Sequence, residues 1–291
     1  LPGICYIDEN DRFIQNAPPR MKRSDQYGRA PYGRLNMAQY AAKTFLGSRT
    51  FNHHSSVGCP YVCNFCAVTN VANGRWLADK ADSVVGEITH LVQEYGANAI
   101  EFHDNNFFAA EKRCFEISEG LKGLNINWWG EGRIDTLLKF SDETWSSMSQ
   151  SGLKMVFLGA ESGDDETLEA MDKGGLIVED TLMLNRRMKT YGVVPEFSFV
   201  LGNAVNPEKD VRVTLDLIRQ LKSDNPSCEI ILYIYTPVPL PGMYDDAVAM
   251  GFSFPETLEE WINSEWQSYE DRRHATTPWM SRKLVNKIYD F

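Results

Sequence analysis

Two hydrophobic patterns alternate along the chain from residue 50 to residue 236. Short apolar runs, typical of buried strands, are followed by longer segments in which an apolar residue returns every three or four positions, typical of helices with one buried face. The segment 82–95 is one such helix, with Val84, Ile88 and Leu91 on one side. The predicted strands cover residues 50–57, 99–103, 126–130, 154–159, 194–201 and 229–236, and the predicted helices cover residues 82–95, 111–121, 142–151, 178–191 and 208–222.

Repeated strand-helix units of this kind predict a parallel sheet, because parallel neighbours need a crossover connection and right-handed crossovers place the helices outside. The predicted fold is α/β, a partial (β/α)6 TIM-like barrel with an N-terminal lead-in and a C-terminal helical extension. We assign the lead-in to residues 1–48, the core barrel to 49–245 and the extension to 246–291. The chain starts at Leu1 rather than Met, so the lead-in is interpreted either as a linker or as the end of an upstream domain.

The two ends of the chain carry weaker patterns. In the lead-in, residues 4–7 and 12–14 flank a turn-like acidic segment and predict a hairpin. Residues 18–33 are expected to form an extended linker, and residues 37–43 a short helix. From Phe252 onward, two interpretations stay open: the extension covers the open side of the barrel and shapes a substrate pocket, or it packs against the outer helices. Its aromatic residues Trp261, Trp266, Tyr269 and Trp279 accompany the acidic residues Glu259, Glu260, Glu265 and Asp271.

Polar residues and glycine follow the predicted strands at the point where each strand ends. In α/β barrels the working residues lie at the carboxyl ends of the strands, which all meet at one side. A cysteine-rich loop also follows the first strand. This one-sided placement predicts a functional site. The residues are Asp104 after the second strand, Glu131 and Arg133 after the third, Glu161 and Ser162 after the fourth, and Gly202 after the fifth.

The loop after the first strand contains Cys59, Cys63 and Cys66, spaced C-x3-C-x2-C. Thiolates favour zinc, copper(I) and iron-sulfur clusters, and a four-iron cluster normally takes one cysteine per iron. Three cysteines leave one iron open to a substrate or cofactor, so the spacing indicates chemistry at the metal. The alternative is a Cys3His structural zinc site completed by His53 or His54. Three further cysteines stand alone and are expected to be reduced thiols: Cys5, Cys114 and Cys228.

The cysteine motif, with the aromatic residue Phe65 before its last cysteine, resembles the signature of the radical S-adenosylmethionine superfamily. The resemblance implies that Cys59, Cys63 and Cys66 hold a 4Fe-4S cluster whose fourth iron is chelated by S-adenosylmethionine. It also implies cleavage of that cofactor to a 5'-deoxyadenosyl radical, which abstracts hydrogen from an unactivated carbon. A reducing partner such as flavodoxin or ferredoxin is implied as the electron donor. By position, Phe65 is expected near the adenine.

Two later segments resemble the branch of the superfamily that often carries an upstream cobalamin-binding domain. That branch implies methyl transfer, oxidative cyclisation or rearrangement of a lipid, a tetrapyrrole or a secondary metabolite. It also implies cobalamin as a further cofactor, through a domain not present in this chain; the base-off cobalamin fingerprint Asp-x-His-x-x-Gly does not occur in the sequence. The two segments are Trp129-Gly-Glu131-Gly-Arg133 and Leu158-Gly-Ala-Glu161-Ser-Gly163.

The resemblance gives individual residues a role in binding S-adenosylmethionine. Glu161 is implied to accept hydrogen bonds from the ribose hydroxyls, and Arg133 to pair with the cofactor carboxylate through its planar fork. Asp104 lies in a segment similar to the one near the methionine end, although the usual glycine-glycine-glutamate motif is absent. From the residues alone, Glu161 as a helix cap, Arg133 as a salt-bridge partner and Asp104 as a turn residue stay open. The remaining implied cofactor-site residues are Glu131, Ser162 and Gly202.

Composition and charge narrow the classes of function. With 29 basic and 40 acidic residues, the chain has a net charge of -11. Binding of a phosphate backbone needs a basic footprint, so we expect a small-molecule substrate and no nucleic acid partner. No apolar run approaches the roughly 18 residues of a membrane span, no signal peptide is visible, and a cytoplasmic location is expected. The non-catalytic alternative is an iron-sulfur electron carrier or a zinc-braced binding protein, which would need a fourth protein ligand.

Overall fold

A computed structural model of the chain describes residues 1–17, 21–267, 269 and 277–291. These residues form short peripheral strands and a set of longer central ones. In chain order the strands are β1 (Cys5–Ile7), β2 (Phe13–Gln15), β3 (Thr50–His53), β4 (Ser56–Gly58), β5 (Trp76–Ala78), β6 (Ala99–Phe102), β7 (Asn127–Gly132), β8 (Leu153–Glu161), β9 (Val194–Leu201) and β10 (Glu229–Ile234).

Six of these strands form one parallel sheet, with neighbours in the order β3, β6, β7, β8, β9 and β10. Each strand lies beside the strand that precedes it in this series, as expected when one crossover helix joins each pair. The predicted α/β class and parallel six-stranded sheet are therefore confirmed. Within the described residues β3 and β10 are the edge strands and do not pair with each other; the outer side of β3 has one β-bridge, between Thr50 and Ala42.

Helices follow most of the central strands. No helix in the described part of the chain is long and apolar enough to cross a membrane. Single 3-10 turns occur at Ser24–Gln26, Tyr32–Arg34, Met37–Gln39 and Phe107–Ala109. The helices are α1 (Ala67–Ala72), α2 (Ala81–Tyr95), α3 (Glu111–Leu121), α4 (Ile134–Leu137), α5 (Asp142–Gln150), α6 (Asp165–Ala170), α7 (Val178–Thr190), α8 (Pro207–Asp224), α9 (Met243–Ala249), α10 (Leu258–Trp261), α11 (Ser264–Gln267) and α12 (Arg282–Tyr289).

The main core lies between the helices and one face of the parallel sheet. Ile100 of β6, Trp128 of β7 and Phe197 of β9 are fully buried there, and Ile88, on the predicted apolar side of α2, belongs to the same core cluster. Because side chains alternate along a strand, the neighbouring residues point to the opposite face of the sheet. That face is more polar. Its residues include Glu101, Trp129, Glu131, Phe157 and Glu196.

The single strand predicted at residues 50–57 is wrong, because the chain leaves the sheet after His53. The N–H group of Ser55 donates to the Asp104 carboxylate at 3.0 Å instead of continuing the ladder with β6. After this break β4 turns to pair antiparallel with β5, a strand that the hydrophobic pattern did not predict. The cysteine loop therefore follows the first strand of a separate hairpin, β4 and β5, and not a strand of the parallel sheet.

The lead-in differs from its prediction in one element. The predicted hairpin is confirmed: β1 and β2 pair antiparallel, with Tyr6 opposite Ile14. The predicted helix at residues 37–43 is wrong, because the chain makes only one 3-10 turn before Ala42 forms a β-bridge with Thr50. Part of the segment expected to be extended, Pro18, Pro19 and Arg20, and the acidic residue Asp271 of the extension lie outside the described residues.

Two parts of the predicted extension reach different regions of the molecule. Met280, Leu284 and Ile288, in and just before α12, belong to the main core, and α12 contacts the outer helix α8. Met243 and Phe252 instead form a second apolar cluster with Tyr235 and other aromatic residues. Packing against an outer helix is thus confirmed for α12. The division at residues 48 and 245 stays a prediction.

Candidate functional site

Cys59, Cys63 and Cys66 lie in the loop between β4 and α1, and all three are free thiols. Cys63 is buried, whereas Cys59 and Cys66 are partly exposed. The loop begins at Gly58, whose φ of +84° is in the left-handed region that favours glycine. A Cβ atom at Gly58 would collide with the carbonyl oxygen of Arg75, so the hairpin and the loop can approach each other only with glycine here.

Arg133, at the end of β7, is held against the cysteine loop. Its Nη1 donates to the Cys63 Sγ at 3.2 Å, and its guanidinium lies 3.9 Å from the ring centroid of Tyr61. The side chain also donates to Asp135 at 2.9 Å and to the carbonyl oxygen of Lys173. A fixed guanidinium of this kind stabilises negative charge on a neighbouring sulfur atom. The salt bridge with Asp135 agrees with the open structural interpretation of Arg133.

Two buried amide oxygens beside the cysteine loop have no hydrogen-bond partner: Asn64 Oδ1 and Asn106 Oδ1. The amide nitrogen of Asn64 donates to the Ala170 carbonyl at 2.7 Å, and that of Asn106 lies 4.0 Å from the Cys59 Sγ. A buried acceptor left without a donor costs about 1–3 kcal/mol, so such atoms are usually satisfied by something. Both oxygens therefore offer acceptors to a ligand that carries N–H or O–H groups.

The thiol groups fit an iron-sulfur cluster better than a single metal ion. Among the residues that the structure describes, no three His, Cys, Asp or Glu side chains converge as ligands of one ion. Cysteines that bind separate irons of a cluster need not converge in this way. Burial raises the pKa of the Cys66 thiol, and charges on Cys63, Cys59 and Glu161 raise it further. A thiolate at Cys66 is therefore stabilised by a cationic centre, which the irons of a cluster would supply.

Glu161 forms a buried ion pair with Lys173 at the end of β8. Its backbone φ is +64°, and the register of β8 against β9 shifts between Gly159 and Glu161. Such a bulge re-aims a side chain, and here it brings the carboxylate back over Gly159, where a Cβ atom would collide with it. The Lys173 ammonium also lies 5.6 Å from the centroid of the Phe65 ring. Glu161 does not cap α6, whose first turn follows Asp164 without a side-chain cap.

Asp104 is fully buried, next to the residues that join β3 to β4. Its carboxylate accepts from the Ser55 N–H at 3.0 Å, from the Ser55 hydroxyl at 2.8 Å and from the Ser56 hydroxyl. The Arg113 guanidinium donates to the Ser55 carbonyl at 2.9 Å and completes this network. These bonds fix the point where the chain leaves β3 for the hairpin. A role of Asp104 in cofactor binding stays a prediction.

Ser162 and Gly202 meet at one carboxylate that the sequence did not indicate. The Ser162 hydroxyl donates to Asp210 of α8, and the Gly202 N–H donates to the same side chain at 3.3 Å. Burial raises the pKa of Asp210 to about 6, while the bonds from Ser162 and Gly202 oppose the rise. The side chain of Met280 covers Gly202 closely, and Trp279 Nε1 donates to its carbonyl at 3.0 Å. The two loops are thereby tied to α8 and to the C-terminal segment.

Glu131 lies on the polar face of the sheet. Burial raises the pKa of Glu131 to about 7; His103 opposes the rise, and the negative charges of Asp104 and Glu196 add to it. Glu196 accepts from Trp129 Nε1 at 3.0 Å, and burial raises its pKa as well. One proton is therefore readily taken up on this face near neutral pH.

The predicted site residues divide into two groups in space. Contacts connect Cys63, Arg133, Lys173, Glu161 and Phe65 in one continuous chain around the cysteine loop. Asp104, Ser162 and Gly202 instead form hydrogen bonds that hold the loops in position. Functional candidates that the sequence reasoning missed are Asn64, Asn106, Tyr61, Lys173 and Asp210. Only Asn64, Tyr61 and Asn106 had a signal, their position inside segments already singled out.

Comparison with known proteins gives relatives in sequence and in structure. No family model matches the chain. An uncharacterized methyltransferase of Pyrococcus horikoshii is 27% identical over 99% of this chain and 60% of its own length. The bacteriochlorophyllide d C-12(1)-methyltransferase of Chlorobaculum tepidum is 24% identical over 76% of this chain and 45% of its own length. The chain thus spans about half the length of the curated relatives it matches.

Solved structures share the fold. The cobalamin-dependent S-adenosylmethionine radical enzyme OxsB, with aqua-cobalamin and S-adenosylmethionine bound, superposes with a TM-score of 0.63 at 16% identity, over 98% of this chain and 36% of that one. The radical S-adenosylmethionine methyltransferase TsrM of Kitasatospora setae gives 0.62 at 16% identity, over 87% of this chain and 50% of that one. The chain is thus similar in sequence to named methyltransferases and in fold to radical S-adenosylmethionine enzymes. The resemblance inferred from the cysteine motif is confirmed by these relatives.

Proposed function

We propose that this chain is the catalytic core of a radical S-adenosylmethionine enzyme acting on a small molecule. The observation that carries the proposal is the loop with Cys59, Cys63 and Cys66, in which the Arg133 guanidinium contacts the Cys63 sulfur. The three cysteines would hold a 4Fe-4S cluster, and S-adenosylmethionine would bind beside it. When bound, the reduced cluster and this cofactor supply a 5'-deoxyadenosyl radical that functionalises an unactivated carbon.

The residues around the loop have distinct tasks in this proposal. Arg133 neutralises negative charge at Cys63. The Tyr61 ring packs against the Arg133 guanidinium and keeps it in place. Glu161 and Lys173 present a carboxylate and an ammonium beside Phe65, which suits the ribose hydroxyls and the adenine of the cofactor. Asn64 and Asn106 offer unpaired amide oxygens to N–H donors. Asp104, Ser162 and Gly202 position the loops, and Glu131 stands on the sheet face where a proton can be held.

A partial (β/α)6 barrel is the proposed form of the sheet. Its support is the uninterrupted order of six parallel strands and the similarity in fold to OxsB and TsrM. In such a barrel the polar face with Glu131 and Glu196 would line the interior. The cysteine hairpin would lie at one rim.

The reaction after radical formation is proposed from the relatives, as methyl transfer or oxidative cyclisation. Relatives named as methyltransferases or cyclases act, by name, on a bacteriochlorophyllide, on a cytidylyl-phosphonate and on a magnesium-protoporphyrin ester. Cobalamin is bound in the OxsB and TsrM structures. The Asp-x-His-x-x-Gly fingerprint does not occur in the sequence, so cobalamin would be held by a domain outside this chain. A reduced flavodoxin or ferredoxin is the proposed electron donor.

The proposal is tested by anaerobic reconstitution with iron and sulfide, followed by reduction with dithionite in the presence of S-adenosylmethionine. We expect about four irons per chain, the ratio of one cluster, and formation of 5'-deoxyadenosine. The Cys66→Ala variant should lose the nucleoside because one iron has lost its thiolate. The matched control is Cys228→Ala, since Cys228 is a buried thiol outside the loop.

The outcomes separate the proposal from its alternatives. Nucleoside formed by the wild type and by Cys228→Ala, but not by Cys66→Ala, supports radical chemistry at the loop. A fully loaded cluster that yields no nucleoside would instead support an electron carrier. Tight binding of one zinc ion in place of iron would support the structural metal site.

A further inference from the structure

A cavity of about 520 Å³ lies next to the cysteine loop and is lined by apolar groups. Ala67, which follows Cys66 directly, forms one edge of it, so the cavity adjoins the proposed catalytic site. Its volume lies within the roughly 300–1,000 Å³ typical of small-molecule sites. We call it the aromatic pocket. Its lining residues are Ala67, Thr236, Pro237, Val238, Pro239, Phe254, Trp261 and Tyr269.

One wall of the aromatic pocket is the segment after β10. This wall holds two prolines, Pro237 and Pro239, whose ring-locked φ angles leave the backbone little freedom to lose on binding. The polar groups nearby are already engaged: the Thr236 hydroxyl donates to the Ile234 carbonyl at 3.4 Å, and the Tyr269 hydroxyl donates to the Pro237 carbonyl at 2.5 Å. This wall therefore presents mainly carbon atoms to a ligand.

The other wall consists of stacked aromatic rings from the extension. Phe254 and Trp261 stack with centroids 5.6 Å apart and an angle of 26° between their planes. Tyr269 stands edge-on to Trp261, with the centroids 6.3 Å apart. Trp261 is 39% exposed, so part of its ring surface is open to a ligand.

The chemistry of the lining selects the ligand. No residue in the described lining carries a charge, so an ionic group would be desolvated here without a partner. Aromatic faces bind flat apolar rings through offset stacking and edge contacts. Phe65, within the cysteine loop, packs against the same apolar cluster as Phe254 and Tyr269, so this cluster joins the pocket to the loop.

We propose that the aromatic pocket binds the planar, uncharged ring portion of the substrate and so presents the attached carbon to the cysteine loop. The proposal rests on the proposed function and adds the class of substrate to it. It also gives the extension a binding role beside the packing of α12, because Phe254, Trp261 and Tyr269 all come from this part of the chain.

The test uses 1-aminoanthracene, a neutral three-ring probe whose fluorescence rises in apolar surroundings, on the anaerobically reconstituted protein. We expect saturable binding of one probe per chain. Trp261→Ala should weaken the binding at least tenfold. Leu258→Ala is the matched control in the same helix, because Leu258 is 80% exposed and lies outside the lining; it should bind the probe as the wild type does.

A second pair of variants guards against a general effect on folding. Val238→Asp places a charge in the pocket wall and should weaken the probe at least tenfold, whereas Val248→Asp places the same charge on an exposed part of α9 and should not. If Val238→Asp and Val248→Asp bind the probe equally, the aromatic pocket is not the binding site. Equal binding of the probe by Trp261→Ala and Leu258→Ala would lead to the same conclusion. The wild type and the Val248→Asp control are assayed in parallel for 5'-deoxyadenosine. Nucleoside without pocket-dependent binding rejects the pocket alone, and pocket-dependent binding without nucleoside rejects the radical reaction alone.

Discussion

Glu161 and Lys173 combine one feature that lowers stability with one that adds little to it. A non-glycine residue at a φ of +64° is a backbone conformation that costs of order 1–3 kcal/mol. A buried ion pair is weak evidence for stability, because removing two charges from water offsets most of their attraction. Both features stand in the cysteine-loop region, at the bulge that turns Glu161 back over β8. Their position agrees with a binding role for the pair.

Glu131 predicts a dependence of stability on pH. Its pKa is raised from 4.5 to about 7, so the unfolded chain releases this proton at lower pH than the folded chain does. The free energy of unfolding should therefore fall as the pH rises from about 4.5 to about 7, and this contribution should stay constant above that range. Glu131→Gln removes the effect and should stabilise the protein at pH 8 by at most about 3 kcal/mol. Urea unfolding of the cluster-free protein under reducing conditions measures it at each pH.

The control for this measurement is Glu116→Gln, on the exposed side of α3, which pairs only loosely with Lys112 at 3.8 Å. Its unfolding curve should follow that of the wild type across the whole pH range. If Glu131→Gln keeps the same pH profile as the wild type between pH 4.5 and 7, Glu131 is not the group that takes up the proton.

At the scale of elements, the cysteine hairpin depends on a single glycine. Gly58→Ala puts a Cβ atom against the Arg75 carbonyl at a φ of +84°, so β4 and β5 must move apart. We expect this variant to bind less than half the iron of the wild type after reconstitution, because the loop is displaced. Gly86→Ala, in the middle of α2 with open space around it, should bind iron normally and stabilise the protein by about 0.5–1 kcal/mol. Iron per chain and urea midpoints check both; full iron loading in Gly58→Ala would contradict the role of the hairpin.

Local patterns along the chain predicted most of the central strands and the longer helices. The span of β9 is the predicted one, and α5 begins at the predicted residue, after a cap in which Ser141 Oγ accepts from the Thr144 N–H at 3.2 Å. The break after His53 could not be predicted, because it depends on Asp104, which lies far along the chain. β8 was likewise predicted to end at residue 159, because the bulge before Glu161 arises from pairing with β9, which lies further along the chain.

The candidate site was predictable only where its residues carry a motif. The cysteine spacing and the Arg133 segment could be recognised in the sequence, and the structure brings Arg133 and Cys63 into contact. Lys173 could not, since it follows a helix and meets Glu161 only through the bulge. Asp210 lies on α8, where an acidic residue ordinarily faces solvent, and only the packing of α8 buries it against Ser162.

At the scale of the whole molecule, the C-terminal segment with α12 packs both against the main core and against the loop after β9. Leu284 and Ile288 of α12 belong to the same core as β6 and α2, and Trp279 and Met280 fasten the segment before α12 to Gly202. The loop after β9 therefore depends on residues far along the chain. This arrangement predicts that α12 does not unfold separately from the parallel sheet.

Leu284→Ala tests that coupling. The side chain is 7% exposed, and truncating a buried leucine costs about 2–5 kcal/mol through lost burial and the cavity left behind. We expect one transition in urea, shifted by the same free energy whether it is followed by far-ultraviolet circular dichroism or by tryptophan fluorescence, because helix and sheet unfold together. Leu258→Ala, at a largely exposed position, should leave both curves in place. If the fluorescence transition keeps its wild-type midpoint while the dichroism shows an additional transition at lower urea, α12 is an independent unit, and the loop at Gly202 does not need it.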